Sequence, residues 1–347
     1  MPTFEFPPDF NPGAFEDRID ERDRPYDELL MGAPIIDWDK GYNVEDELKK
    51  QFGVELNVED QNGSLSCVGQ AWSKYAEVLN IVETKGHTDL SAKSIYEQIF
   101  LPAGGAYLRD GAKVIVKGGV ATEEDLPSYE IIMNTQGTAI LAKNPPNEEF
   151  MRKPTITDAI REKMKVYKAL EYRSIGSAQA DLLAHAIMNN WGGVGGARGD
   201  NAGWRQYPVQ KPQTPGGDWG HAFYWTGFGR EERGRYFDFL NFWGKFWGKN
   251  GRGRMYFEEY DMPNNTFGIW TLVDLPNFNN NSTAMKTIKT DSSPHIYLVS
   301  ADNKSKIKLA DMATLNPLAQ PETIVSQEEF DSYETKGSFV WVERNIE

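Results

Sequence analysis

A single cysteine in 347 residues sets the first limit on this chain. No internal disulfide can form and no cysteine-rich zinc cluster can be built, so packing alone must hold the fold. A lone thiol is either a small buried hydrophobe or a reactive nucleophile. Its surroundings, DQNGSLSCVGQAW, favour the second. Gly63, Ser64 and Ser66 are turn and cap residues that end directly at Cys67. Val68, Ala71, Trp72, Tyr75, Ala76, Leu79 and Val82 then recur at the three-and-four spacing of a helix face. Lys85-Gly86 supplies a basic last turn and a glycine stop. The spacing predicts a helix beginning at Cys67, where free backbone N–H groups and the dipole favour a thiolate.

A thiolate that transfers acyl groups needs a base, an orienting group for that base, and donors for the oxyanion. There are four histidines. His87 lies in a polar loop, His185 falls inside a predicted helix and reads as structural, and His295 sits in a polar stretch that reads as linker. His221, in GGDWGHAFYWTGFG, opens an apolar, aromatic strand. The small residue before it lets another chain segment approach its ring. Downstream, Asn241 ends a strand-like run and is followed by Trp243, Trp247 and several glycines. An asparagine can orient an imidazole and a tryptophan can shield that bond from water; the same stretch also reads as a packed aromatic turn.

Taken together, these segments resemble the papain-like cysteine peptidases, the C1 family, in a disulfide-free form of bacterial or phage type. Gln61 lies six positions before Cys67, Gly220-His221-Ala222 matches the histidine motif, and NFWGKFWGKNG from Asn241 to Gly251 matches the asparagine motif with only Phe242 out of place. The resemblance covers roughly residues 36 to 275. It implies Cys67 as nucleophile, His221 as its base and acid, Asn241 as the orienter of His221, and Gln61 with the Cys67 N–H as the oxyanion hole. It further implies Gly104-Gly105 as backbone offered to an extended substrate and Trp243 as shield beside the cleft. Gly104-Gly105 equally reads as a turn. Val68 stands where the family has tryptophan after the nucleophile. The implied fold is α+β and two-lobed: a helical lobe over about 40–145, a strand-rich, barrel-like lobe over about 146–275, and the active site in the cleft between them.

Residues 1–35 are rich in proline and charge, with little capacity to form a core of their own, and read as an arm lying over the enzyme, a short pro-segment or an anchor to a larger assembly. Residues 276–295 read as a polar linker. Residues 296–347 read as a small accessory module of β or α/β type, with a hairpin around Asp302-Asn303-Lys304 and a closing SFVWV strand. The segment 36–275 is expected to carry the chemistry alone, with arm and module serving to dock a partner. A formal charge of −14 argues against nucleic acid and anionic membranes. Neither an apolar span of membrane length nor a secretory signal is seen, which points to a soluble cytoplasmic or virion-associated protein. No metal or other cofactor is called for; the expected substrate is a peptide or protein. The reading is a cysteine endopeptidase. Two others stay open: an amidase or endopeptidase of cell-wall peptides, and a catalytically silent structural or binding protein on the same scaffold.

Overall fold

In the computed structural model the described residues are 12–30, 32–129, 131–133, 139–141 and 148–273, together with five strands between 286 and 338. The chain divides into two compact units, Met1–Leu275 and Pro276–Glu347.

The first unit opens with β1 (Ala14–Phe15) and β2 (Tyr42–Asn43), then α1 (Val44–Phe52), α2 (Cys67–Thr84), α3 (Ala92–Ile99), β3 (Ala106–Tyr107) and α4 (Leu108–Lys117). After β4 (Ile131–Met133) and β5 (Ala139–Leu141) come α5 (Glu148–Arg152), α6 (Asp158–Met164), β6 (Glu171–Ile175), α7 (Ala180–Asn189), β7 (Gly193–Gly199) and α8 (Asn201–Trp204). The remainder is β8 (Trp219–Glu231), β9 (Gly234–Leu240), β10 (Arg252–Tyr256), α9 (Met262–Asn265) and β11 (Thr266–Val273).

Local chemistry sets the helix ends. Asn43 accepts from the N–H groups of Glu45 and Asp46 at the start of α1, and Ser91 caps α3 by accepting from Ser94 N–H, as S/T/N caps do. α2 begins at Cys67, as its periodicity predicts. At its other end the left-handed residue is Lys85 itself, at φ 59°, rather than the glycine after it.

The large sheet runs β10-β9-β8-β7-β11-β6, with β2 attached to β8, and its neighbours are antiparallel. β8 is apolar along most of its length because both faces are covered, with α2 packing against it. Trp72, Tyr75, Trp204, Tyr224, Trp225 and Trp247 are fully buried in the resulting core. Five helices, α5 to α9, fall within the strand-rich half, where only α7 was expected. In VYKALEY, residues 166–172, strand pairing begins only at Glu171; Val166 is largely exposed and the chain there turns.

Residues 12–30 do not lie outside the core. Ala14 and Tyr26 are buried, and β1 pairs parallel with β3. Arg24 O accepts from Ser174 N–H, and Tyr26 Oη lies 3.1 Å from His185 Nδ1. The charge that made this stretch read as a loose arm is matched inside the fold. Asp17 accepts from Arg109 N–H at the start of α4 and from Trp270 Nε1, and Arg109 pairs with Asp23.

The second unit contains β12 (Lys286–Lys289), β13 (His295–Val299), β14 (Ser305–Asp311), β15 (Thr323–Ile324) and β16 (Glu334–Ser338), in the order β15-β12-β13-β14-β16. β13 and β14 are antiparallel neighbours, the hairpin read from the sequence. Part of the stretch read as linker is strand: β12 pairs antiparallel with β13, with Ile288 in register with Tyr297. His295, read as linker too, begins β13. The turn at 300–304 and the SFVWV strand beyond Ser338 lie outside the described residues. Among the described residues no helix is long and apolar enough to cross a membrane.

Candidate active site

The loop before α2 is closed by its own hydroxyls. Ser64 Oγ donates to Gln61 O at 2.7 Å and lies 2.7 Å from Ser66 Oγ. Gln61 Nε2 donates to Ser64 O at 2.8 Å. Leu65 N–H is taken by Glu148 Oε2 at 2.7 Å. This tight turn delivers Cys67 to the first position of the helix, fully buried. The backbone N–H groups of Ala222, the residue after His221, and of Gly13 favour its anion.

His221 is fixed from three sides. β8 pairs it with Ala197 of β7. Nε2 lies 2.6 Å from Asn241 Oδ1, and since a carbonyl oxygen only accepts, this nitrogen carries the proton. The Trp243 ring sits over the imidazole at a centroid distance of 4.2 Å, with Trp204 edge-on at 5.7 Å. Nδ1 has no hydrogen-bond partner among the described residues and is left as an acceptor. Asn241 is held by its N–H to Gly251 O at 2.9 Å. The turn after it needs Gly244: at φ +72° a side chain would be strained, and an added Cβ would lie 2.7 Å from Asp60 Oδ2.

His221, Asn241 and Trp243 therefore meet in one place, and the Gln61 N–H reaches Phe242 O between the last two. Gly104 and Gly105 flank it, but much of their backbone is engaged within their own loop. Gly104 N–H donates to Leu101 O, Gly105 N–H donates to the Tyr96 hydroxyl, and Gly105 O accepts from Leu101 N–H. The group open to an extended partner is one residue on, Ala106 N–H, and it donates to Gly13 O at 2.9 Å.

Residues 13–15 pack against Leu65, Gly105 and Gly220. A Cβ on Gly105 would lie 2.4 Å from Gly13 O, and one on Gly220 would lie 2.4 Å from Ala14 O. The small residue before His221 thus admits a neighbouring segment, and that segment is the chain's own β1. Burial under it sets the protonation states. The Cys67 thiol is pushed up to about 11 by burial, against the backbone N–H groups of Ala222 and Gly13 that favour the anion. Burial lowers His221 to about 3, with the Asn241 bond opposing. The thiolate expected from the helix N-terminus is therefore corrected: in the covered site thiol and imidazole are both neutral, because loss of water outweighs the helix end.

The profile of the papain family of cysteine proteases matches residues 47–273. The chain belongs to that family. Among solved structures, xylellain, a cysteine protease from Xylella fastidiosa, is similar at 21% identity and TM-score 0.59, covering 78% of this chain and 98% of that one. Procathepsin B S9 from Trypanosoma congolense gives 12% and 0.54, covering 77% and 87%. Procathepsin L 3 of the Tenebrio molitor larval midgut gives 15% and 0.50, covering 73% and 76%. No curated protein matches the chain. The fold is the two-lobed papain one with a small C-terminal module, and the protein is a cysteine-type peptidase acting on peptides or proteins.

Sequence reasoning missed three contributors. Gly13 and Ala14 carry no motif of their own; only Gly220 signalled that a segment would come close. Glu148 holds both Leu65 and the Tyr96 hydroxyl, the latter at 2.6 Å, from a position 81 residues after Cys67. Lys74 and Glu59 form a buried ion pair behind the site, and only the charge of Lys74 on a helix of apolar neighbours hinted at it.

Proposed function

We propose that this chain is a papain-type cysteine endopeptidase whose covered form is latent. Cys67 attacks the substrate carbonyl after its proton passes to Nδ1 of His221, and the resulting imidazolium protonates the leaving amine. Asn241 fixes the ring so that Nδ1 stays the acceptor, and Trp243 keeps water from that bond. Gln61 and the Cys67 N–H stabilise the tetrahedral oxyanion, each donor contributing roughly 3 kcal/mol. For this, Gln61 must turn from Ser64 O toward the cleft. The observation that carries the reading is the single edge contact of His221: Nε2 on Asn241 at 2.6 Å, with Nδ1 left as acceptor.

Substrate must displace residues 13–15, because the Gly13 carbonyl takes the Ala106 N–H. The test is labelling of the full chain by an epoxide inhibitor of papain-like enzymes, with mass mapping. Ala14→Arg puts a long cation where Ala14 is buried against Gly220 and should speed labelling at Cys67 at least ~10-fold, the factor that about 1.4 kcal/mol of lost cover gives. Cys67→Ala should take no label. Failure of both the parent and the Ala14→Arg chain to react at Cys67 would leave only a silent scaffold.

A further inference from the structure

Behind the nucleophile, α2 carries a polar strip. Cys67, Gln70, Lys74 and Glu77 stand at i, i+3, i+7 and i+10, one face of the helix, and all four are fully buried. A lysine ammonium inside a core is costly unless carboxylates meet it. Here Lys74 Nζ lies 2.9 Å from both oxygens of Glu77 and 2.7 Å from Glu59 Oε1. Burial alone would push Lys74 down, but the two carboxylates outweigh it and hold it above its ordinary value. Glu77, His87 and Asp89 bring ligand-type atoms close together. Yet the Lys74 ammonium already sits on Glu77, so this cluster is neutralised from within.

Glu59 is the informative partner, because it stands two residues before Gln61. Its carboxylate is tied to the α2 helix through Lys74. Its carbonyl accepts Gly244 N–H at 3.1 Å, from the turn that follows Asn241. Next to it, Asp60 forms a backbone bridge with Trp243, and Gln61 N–H donates to Phe242 O at 2.8 Å. The helix of the nucleophile and the loop of Gln61 thus meet at one ammonium, and the turn that carries Asn241 and Trp243 joins them through the Glu59 backbone.

Resting on the peptidase reading, we propose that Lys74 is a positioning residue for the oxyanion hole. Through Glu59 it fixes where Gln61 stands relative to the Cys67 N–H, and so where the two donors converge. Neither Lys74 nor Glu59 touches substrate. Because oxyanion stabilisation depends on donor placement within a fraction of an ångström, loosening the tether should lower turnover about 10²-fold. Attack by the thiol on a reagent that forms no oxyanion should be spared.

The experiment uses the full chain in the Ala14→Arg background. Glu59→Gln keeps the side-chain size and leaves Lys74 paired with Glu77. A second variant, Lys74→Met with Glu59→Gln and Glu77→Gln, removes the whole network without leaving a lone buried charge. Four quantities are measured: kcat, KM, the inhibition constant of a peptide aldehyde whose adduct places an oxygen in the hole, and the rate of alkylation by iodoacetamide. The expected result is kcat down about 10²-fold, aldehyde binding weakened by a similar factor, and KM and alkylation within about 3-fold. Unchanged kcat and aldehyde binding with a lowered Tm would mean that the network only supports the fold. Alkylation falling in step with kcat would mean that it sets Cys67 rather than Gln61. Either result overturns the proposal while the peptidase reading stands. A parent chain that neither cleaves peptide nor binds aldehyde overturns both.

Discussion

Lowering the pH should loosen residues 12–17 from the cleft. His221 has an ordinary value of 6.5 and is lowered to about 3 in the covered site, burial being the cause. Its covered-state value is depressed, so the uncovered state binds more protons at any pH between the two. The contribution to the covered form is complete above 6.5 and is lost as pH falls toward 3. If opening lets water reach the ring and restores its ordinary value, moving from pH 7.5 to pH 5 favours the open form about 30-fold, or about 2 kcal/mol. His185, beside Tyr26, is also lowered by burial and acts in the same direction. Asp17 acts oppositely. Burial raises it, the Arg109 N–H and Trp270 bonds lower it, and the net rise means that protonation favours the seated segment. Cys67, raised to about 11, stays neutral throughout this range when covered. The assay is amide hydrogen exchange of residues 12–17 in the full chain, corrected for intrinsic exchange rates at each pH. Protection should drop at pH 5 by about 30-fold, less the opposing share of Asp17, and His221→Gln should abolish most of the drop. Equal protection at both pH values, or a drop that survives His221→Gln, would refute the argument that the buried imidazole couples acid to uncovering.

Cys67→Ala should abolish peptide cleavage while costing only about 1 kcal/mol by chemical denaturation, because it removes one buried sulfur from the core. A loss of several kcal/mol with residual cleavage would restore the buried-hydrophobe reading. Gly244→Ala meets both a left-handed backbone and Asp60 at 2.7 Å. It should cost at least 1–2 kcal/mol and displace the Trp243 ring, seen as a change in near-ultraviolet circular dichroism.

How much could be read in advance depended on whether the chemistry was local. Cys67 at the head of α2 was legible because a helix start is written in neighbouring residues: turn formers, hydroxyls, then a period of 3.6. The same holds for Asn241 and Trp243, where Gly244 and Gly251 mark turns that other residues enter only with strain. His221 was legible for a different reason, since a small residue before it promised close approach. The strand boundaries near 166–171 were less so, because a mixed run such as VYKALEY suits a turn and an edge strand alike. The protonation of Cys67 was misjudged from the helix end alone, since it depends on what lies above the sulfur.

What lies above it is the part of the chain that composition described worst. Residues 12–30 are charged and proline-containing, which marks a segment unable to form a core of its own. That inference concerns self-sufficiency and says nothing of a core supplied by others. Asp17 finds the first turn of α4 and the Trp270 indole, Asp23 finds Arg109, Tyr26 finds His185, and Ala14 finds the space that Gly220 leaves open. Each contact joins residues 86 to 253 positions apart, so no window of sequence contains both partners. The same separation hides the pairing of Lys74 with Glu59 across the nucleophile loop. Fifteen positions part them, and neither helical nor strand periodicity brings them together. Only Gly220 among all these partners is constrained locally, and it is the one that gave notice. The head of a helix or a tight turn can thus be read from its own neighbourhood, whereas what covers it and what tethers it are properties of the closed fold, set by side chains whose meaning appears when distant segments meet.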